Sequence, residues 1–69
     1  MLILEATEMK TYEFKSERNW DRAYDSLYES ENNYHFCSYG YLAITVFDEL
    51  ADNHLVSFCK EHRISIKEI

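Results

Sequence analysis

The sequence predicts a small α+β domain, because two kinds of hydrophobic pattern alternate along its 69 residues. Polar and apolar residues alternate at 9–15 and 64–67, as in half-buried strands, and residues 33–46 form the most β-prone stretch. Apolar residues recur every three or four positions in the two intervening segments, as in helices. The order βαββαβ at this length is that of a ferredoxin-like plait, a four-stranded antiparallel sheet with two helices on one face.

The first strand and the first helix are predicted within residues 9–30. Tyr12 and Phe14 share one face of a strand at 9–15, and residues 1–8 either extend this strand through a bulge or form a loose arm. Ser16 suits a helix N-cap, because its hydroxyl can accept from the first free backbone N–H groups. A helix over about 17–30 follows, and its apolar face consists of Trp20, Ala23, Tyr24, Leu27 and Tyr28.

The second half is predicted to form a hairpin, a helix and a last strand. Strands at 34–38 and 41–46 flank Tyr39-Gly40, where glycine allows the positive φ of a tight turn. In the second of these strands, one face carries Leu42, Ile44 and Val46, and the other carries Tyr41, Ala43 and Thr45. A helix over about 47–62 has an apolar face with Phe47, Leu50, Ala51, Leu55 and Phe58, with His54 among them.

The composition fits one folded domain spanning residues 1–69, and its charge restricts the partners. Thirteen acidic residues against seven Lys and Arg give a net charge of −6, which opposes direct binding to nucleic acid because phosphates need cationic partners. The same charge favours a protein partner with a basic surface. No stretch approaches the roughly 20 apolar residues of a membrane span, and none resembles a signal peptide. We therefore expect a cytoplasmic protein with reduced thiols and no membrane partner.

Four residues have side chains that bind transition metals: His35, Cys37, Cys59 and His62. Each pair, H-x-C and C-x-x-H, lies on one side of its predicted element, and zinc takes four such ligands. The plait separates the pairs by on the order of 10 Å, because the strand of Cys37 is an edge and the second helix covers the opposite side. We therefore predict no metal, no cofactor and no disulfide, with both cysteines as small buried apolar residues.

The sequence has no arrangement that indicates catalysis, so we predict a non-enzymatic protein. It lacks the G-x-S-x-G, Walker, Rossmann and H-E-x-x-H motifs, and with Gly40 as its only glycine it has no loop to hold a phosphate. Cys59 and His62 can touch on one helix but have no oxyanion hole. His54 lies on an apolar helical face, where we expect a hydrogen-bonded histidine in the core or at its boundary.

Four carboxylates repeat every four residues on the first predicted helix: Glu17, Asp21, Asp25 and Glu29, the acidic stripe. Each step rises about 6 Å, which is close to the phosphate spacing of a nucleic-acid strand, so the stripe could imitate a nucleic-acid backbone. Neighbouring like charges destabilise a helix. Their presence in the sequence therefore favours a functional role for the stripe. Glu31 continues the acidic region past the helix.

The alternative for the acidic stripe is a solvated helix face without a binding role. Arg18 could then pair with Asp21 three residues along, and Arg22 could pair with Asp25 in the same way. Glu17 also lies in the first turn, where the helix dipole favours an acid.

The predicted sheet has an uncovered face that carries Thr11, Glu13, Lys15, Tyr41, Ala43 and Thr45. A tyrosine there could stack on a base, but the basic-aromatic signature of RNA-recognition domains is absent and the net charge has the wrong sign. Tyr34, Tyr39 and Tyr41 suit the apolar anchors of a protein interface. The alternatives are that they shield a thin core, or that the edge strand at 34–38 pairs with a second copy.

These patterns lead to the hypothesis of a small, acidic, non-enzymatic protein-binding module. It would inhibit or modulate a target by occupying a basic surface, such as the nucleic-acid site of a host or defence protein, as small acidic inhibitors from phages or mobile elements do. The predicted binding residues are Glu17, Asp21, Asp25, Glu29, Glu31, Tyr34, Tyr39 and Tyr41. Two alternatives remain open: a homodimeric regulatory or structural subunit joined through its sheet, and a small zinc-binding domain.

Overall fold

The order βαββαβ is present in the computed structural model of the chain, which describes residues 9–32 and 34–69. Within these ranges the elements are β1 (Lys10–Phe14), α1 (Glu17–Tyr28), β2 (Phe36–Ser38), β3 (Ala43–Val46), α2 (Glu49–Glu61) and β4 (Ile66–Glu68). The two interpretations of residues 1–8, a strand extension and a loose arm, lie outside the described residues. Neither α1 nor α2 is long and apolar enough to cross a membrane.

The four strands of the described residues form one antiparallel sheet in the order β2-β3-β1-β4. β1 lies between β3 and β4, so that Tyr12 is opposite Ile44 on one side and Glu68 on the other. Both helices pack on the same face of this sheet, as right-handed crossovers require. The predicted α+β fold is therefore confirmed, and its strand order is that of a ferredoxin-like plait.

The core lies between the sheet and the two helices. Its buried residues come from both layers: Tyr12, Phe14, Ala23, Leu27, Ile44, Val46, Ala51, Leu55, Cys59 and Ile64. Tyr12 donates its hydroxyl to Asp52 Oδ1 at 2.5 Å, and Lys10 Nζ lies 3.6 Å from Asp52 Oδ2. Burial, and secondarily the Asp52 carboxylate, raises the pKa of Tyr12 well above its usual range. Tyr12 is thus a neutral donor that joins β1 to α2.

α1 begins at the predicted residue. A side-chain hydrogen bond to the sheet fixes the orientation of the helix about its own axis. Ser16 Oγ accepts from the backbone N–H of Asn19 at 3.2 Å, which is the predicted N-cap. Trp20 Nε1 donates to the carbonyl oxygen of Ala43 at 3.0 Å. This bond ties the first turn of the helix to β3 and therefore fixes which residues of α1 face outward.

The apolar face of α1 is narrower than predicted. Ala23 and Leu27 are buried and Tyr24 is half-buried, but Tyr28 is 75% exposed. Placing Tyr28 in the apolar face is therefore wrong. The reason is geometric, because Tyr28 lies about 100° around the helix from Leu27 and so falls outside the buried face.

α2 begins after Asp48, whose carboxylate binds three groups. Oδ1 accepts from the backbone N–H of Ala51 at 2.6 Å, as an N-cap does, while Oδ2 accepts from the backbone N–H of His35 at 2.9 Å and lies 3.2 Å from its Nδ1. Desolvation opposes the charge, but the Ala51 and His35 hydrogen bonds outweigh it and lower the pKa of Asp48 below its usual 3.8. Asp48 thus ties the chain before β2 to the start of α2.

The predicted apolar face of α2 is wrong in its first turn. Phe47 precedes the helix, and Leu50 is 66% exposed. The reason is that the Asp48 cap starts the helix at Glu49 and so turns Ala51 toward the sheet. The buried residues then follow at four-residue intervals: Ala51, Leu55 and Cys59.

α2 ends in a Schellman motif, and the last strand therefore begins later in the sequence than predicted. The Ile64 N–H donates to the Cys59 carbonyl oxygen at 2.8 Å, and the Arg63 N–H donates to that of Lys60 at 3.3 Å. Arg63 has a left-handed φ of 57°, in the position that glycine usually occupies. Ile64 is buried in the cap, so the strand predicted to start at 64 starts instead at Ile66.

The connection between β2 and β3 is longer than predicted. Gly40 has the expected left-handed φ of 59°, but Leu42 also has a φ of 59°, and its carbonyl oxygen accepts from the Phe14 N–H at 2.8 Å. β3 therefore begins at Ala43. Tyr41 lies in the turn and is 80% exposed, so its predicted place on the open sheet face is wrong.

The two cysteines are free and lie on opposite faces of the sheet. Cys59 belongs to α2 and is buried on the side of the helix that faces the core. This burial raises the pKa of its thiol to about 11. Cys37 pairs with Thr45 across β2 and β3 and is exposed. The prediction that both cysteines are buried is therefore wrong for Cys37, because Phe36, the preceding residue of β2, is the one that turns toward the helices.

We expect a thiol reagent to modify one cysteine in the native protein and both after unfolding. Exposure and thiolate formation govern the reaction, so Cys37 reacts and the buried Cys59 does not. Mass spectrometry of peptides after labelling with iodoacetamide measures this, and a Cys37→Ser variant should show no native labelling. Equal labelling of both cysteines in the folded protein would contradict the described core.

We expect Asp48→Ala to lower the free energy of unfolding by about 1–2 kcal/mol, because α2 loses its N-cap acceptor. Asp48→Asn keeps an acceptor and should lose less. Since folding lowers the pKa of Asp48, the wild-type advantage over Asp48→Asn is fully present above pH 3.8 and is lost as the pH falls through the lower native pKa. Urea titrations at several pH values measure this, and an unchanged Asp48→Ala midpoint would refute the capping role.

Candidate functional site

The acidic stripe lies on the outer surface of α1. Glu17, Asp21, Asp25 and Glu29 are all exposed, on the side of the helix away from the buried Ala23 and Leu27. Each four-residue step turns about 40° around the helix, so the stripe winds slowly across this surface. Glu29 forms the C-cap of α1, and Glu31 is exposed in the turn that follows.

The arginines of α1 do not pair with the stripe. Arg22 Nη1 lies 3.4 Å from Asn19 Oδ1 and its Nη2 lies 3.2 Å from His62 Nδ1, so it leans toward the end of α2. The ion pairs among residues 9–32 and 34–69 are Lys10–Asp52 and His35–Asp48. The pairs Arg18–Asp21 and Arg22–Asp25 are therefore not formed among the described residues, and Arg22 contacts His62 of α2 instead. The alternative of a solvated helix face without a binding role stays open.

The charged residues of α1 interact favourably with the helix dipole in the first turn and unfavourably in the last turn. Glu17 in the first turn is stabilised by the helix dipole, but the last turn has no basic residue. Asp25 and Glu29 place negative charge near the C-terminal carbonyl groups, where the dipole is already negative. The helix dipole therefore does not stabilise these two carboxylates.

A groove of about 360 Å³ runs beside the stripe, between the C-terminal half of α1 and the edge strand β2. This aromatic groove is lined by Tyr24, Leu27, Tyr28, Ser30, Tyr34 and Phe36. Tyr24 stacks on Trp20 with centroids 5.4 Å apart and meets Phe36 edge-on at 5.1 Å. The groove therefore has a fixed aromatic wall, and the exposed ring of Tyr28 stands at its mouth.

The three predicted tyrosine anchors lie on three different surfaces. Tyr34 lines the aromatic groove, packs on His54 at 5.1 Å and accepts a hydrogen bond from Asn32 Nδ2 at 3.1 Å. Tyr39 lies on the open sheet face and Tyr41 in the turn. Only Tyr34 is thus near the acidic stripe, and the binding roles of all three stay predictions.

Tyr24 and Tyr28 of the aromatic groove are not among the binding residues predicted from the sequence. Both match the helical apolar period, and this period alone indicates burial. The sequence signal that distinguishes these tyrosines from core residues is their position at the edge of the apolar face. Tyr24 lies between Ala23 and Asp25, and Tyr28 follows Leu27. An aromatic residue at that edge marks the border between the core and the acidic surface.

A second groove, of about 520 Å³, lies on the sheet face opposite α1 and α2. This open-face groove is lined by Met9, Thr11, Cys37, Tyr39, Thr45, Phe47 and Ile69. The hydroxyls of Thr11 and Thr45 lie 2.8 Å apart and share one hydrogen bond. The floor of this groove therefore offers mainly apolar surface.

The four predicted metal-ligand candidates are not brought together. His35 binds Asp48, and Cys37 faces the open-face groove. Cys59 is buried, while His62 packs on Phe58 and contacts Arg22 on the surface. No cluster of three or more metal-binding side chains occurs among residues 9–32 and 34–69.

His54 lies where the sequence predicts, at the core boundary. Its Nε2 lies 2.7 Å from Ser26 Oγ, and its ring packs on Tyr34. These contacts join α1, α2 and the chain before β2, which gives His54 a structural role.

No protein-family model matches this chain, and comparison with curated proteins and with solved structures gives no significant match. The features that bear on function are therefore the acidic stripe, the aromatic groove and the open-face groove.

We expect Glu29→Gln to raise the free energy of unfolding by roughly 0.3–1 kcal/mol, because it removes an acid from the C-terminal end of α1. Glu17→Gln is the matched control, since the same charge change at the N-terminal end should lower stability. Thermal and urea unfolding at low salt measure both effects. A loss of stability in Glu29→Gln would show that this carboxylate stabilises the fold.

Proposed function

We propose that this protein is a small, acidic, non-enzymatic protein-binding module that occupies a basic surface of a target protein. The observation that carries the proposal is the position of the acidic stripe, exposed on α1 without an ion-pair partner among the described residues. Charges placed against the helix dipole and left exposed suit a complementary partner better than they suit folding.

The proposed target is a nucleic-acid-binding protein, and the proposed effect is inhibition or modulation. The stripe presents carboxylates at steps of about 6 Å, which resembles a row of phosphates. The net charge of −6 would speed association with a basic site and repel nucleic acid itself. The small size and acidity of the chain are typical of inhibitors from phages or mobile elements, which act inside the cytoplasm of the host cell.

Binding energy would come from the aromatic side chains beside the stripe. Exposed charge pairs alone contribute little because water and salt screen them. Tyrosine offers large apolar area with a polar end, and it is common among the residues that dominate interfaces. Tyr28 at the mouth of the aromatic groove and Tyr34 inside it supply this area next to the carboxylates.

We expect the double charge reversal Asp21→Lys with Asp25→Lys to abolish target capture. Nuclease-treated bacterial lysate is passed over the immobilised wild type, this variant and the control Glu13→Lys with Glu61→Lys. The control makes the same change in net charge at exposed positions away from the stripe. Circular dichroism checks that all three proteins fold.

Wild type and control should retain the same basic nucleic-acid-binding protein, and the stripe variant should lose at least about tenfold in affinity for the purified target. Free DNA or RNA should displace the wild type from this target. Retention by the stripe variant, or no displacement by nucleic acid, would refute the proposal.

The open-face groove supports a second candidate function, a homodimeric subunit joined through its sheet. Its apolar lining beside the edge strand β2 resembles a surface that a second copy could cover. Self-association that persists at high salt, in a chain that captures no basic protein, would favour this second function over the first.

A further inference from the structure

The aromatic groove is preformed on three sides. Tyr24 is held between Trp20 and Phe36, and the Tyr34 hydroxyl is held by Asn32. Its volume of about 360 Å³ has room for one long side chain. The buried Leu27 is part of the lining, so the groove borders the core.

Exposed carboxylates lie beside lining residues of the groove, on α1 and in the turn that follows it. Asp21 and Asp25 each precede a groove tyrosine by three residues, Tyr24 and Tyr28 respectively, and side chains at this spacing are neighbours on a helix. Glu29 and Glu31 flank Ser30, which lines the groove. Arg22 points to the other side of α1, toward His62. The groove therefore combines aromatic walls with a negatively charged rim.

We infer that the aromatic groove receives an arginine side chain of the target, with its guanidinium group between the ring of Tyr28, the fixed rings of Tyr24 and Phe36, and the carboxylates of the rim. This inference rests on the proposed function and names the partner residue that the site recognises. The stripe attracts any basic surface electrostatically, and the groove binds arginine in preference to other basic side chains.

Arginine fits this site better than other occupants. Its guanidinium group is planar, stacks on aromatic rings and is weakly hydrated, while the lysine ammonium group is compact and strongly hydrated. A purely apolar side chain would bury part of the carboxylate rim without compensation. A second copy of the same surface would bring like charges together across a two-fold axis.

The test compares a six-residue arginine peptide with a six-residue lysine peptide on the intact protein at physiological ionic strength. Titration calorimetry gives the affinities, and NMR shifts of the tyrosine rings locate the binding. We expect arginine to bind at least about fivefold more tightly than lysine, with shifts at Tyr24, Tyr28 and Tyr34. Tyr28→Ala should remove this preference and leave the lysine affinity unchanged.

Two control variants separate stacking from loss of structure. Tyr28→Phe keeps the ring and should keep the preference for arginine. Tyr41→Ala removes an equally exposed tyrosine outside the groove and should change nothing. Since Tyr28 is 75% exposed, its replacement leaves the core intact.

The outcomes for this inference and for the proposed function are distinct. Equal affinity for both peptides, a preference that survives Tyr28→Ala, ring shifts absent from the groove, or no peptide binding would each overturn the arginine site. The proposed function would still stand if the purified target is bound through the stripe. If the target is not bound through the stripe, the proposed function fails whatever the peptides do.

Discussion

The packing of α1 on β3 is the constraint that determines which side chains this protein presents at its surface. Ala23 and Leu27 bury the inner side of the helix, and the bond from Trp20 Nε1 to the Ala43 carbonyl oxygen fixes its rotation. With this rotation set, the carboxylates of the stripe face outward and Tyr24 and Tyr28 face the edge strand. The aromatic groove and its acidic rim are thus consequences of how one helix meets the sheet.

The same packing separates the charges of α1 into two sides. Arg22 is drawn toward His62 and α2, which leaves the outer side acidic. The helix tolerates carboxylates at its C-terminal end because burial of Leu27 and the Ser16 cap stabilise it elsewhere. Within residues 9–32 and 34–69, both helices lie on one face of the sheet. The described residues therefore present an acidic aromatic surface on α1 and an apolar groove on the opposite sheet face.

The sequence was sufficient for the order of elements, because alternation around Tyr12 and the helical period around Leu27 are local signals. It was insufficient where tertiary contacts decide. Nothing local predicts a left-handed Leu42, whose carbonyl oxygen accepts from β1 and moves Tyr41 into a turn. The stripe is visible in the sequence itself, but the groove beside it joins α1 to β2 across the fold. Tyr34 was therefore predicted as an interface residue, while Tyr24 and Tyr28 were recognisable only as apolar residues of α1.

The central claim is that this protein meets its target through the outer side of α1 and the aromatic groove. Hydrogen–deuterium exchange of the protein alone and bound to its purified basic target tests this most directly. We predict new protection of backbone amides in the last two turns of α1, in residues 29–32 and along β2, with β1 and β4 unchanged. Protection centred on β1, β4 and the open-face groove, with α1 unchanged, would contradict it.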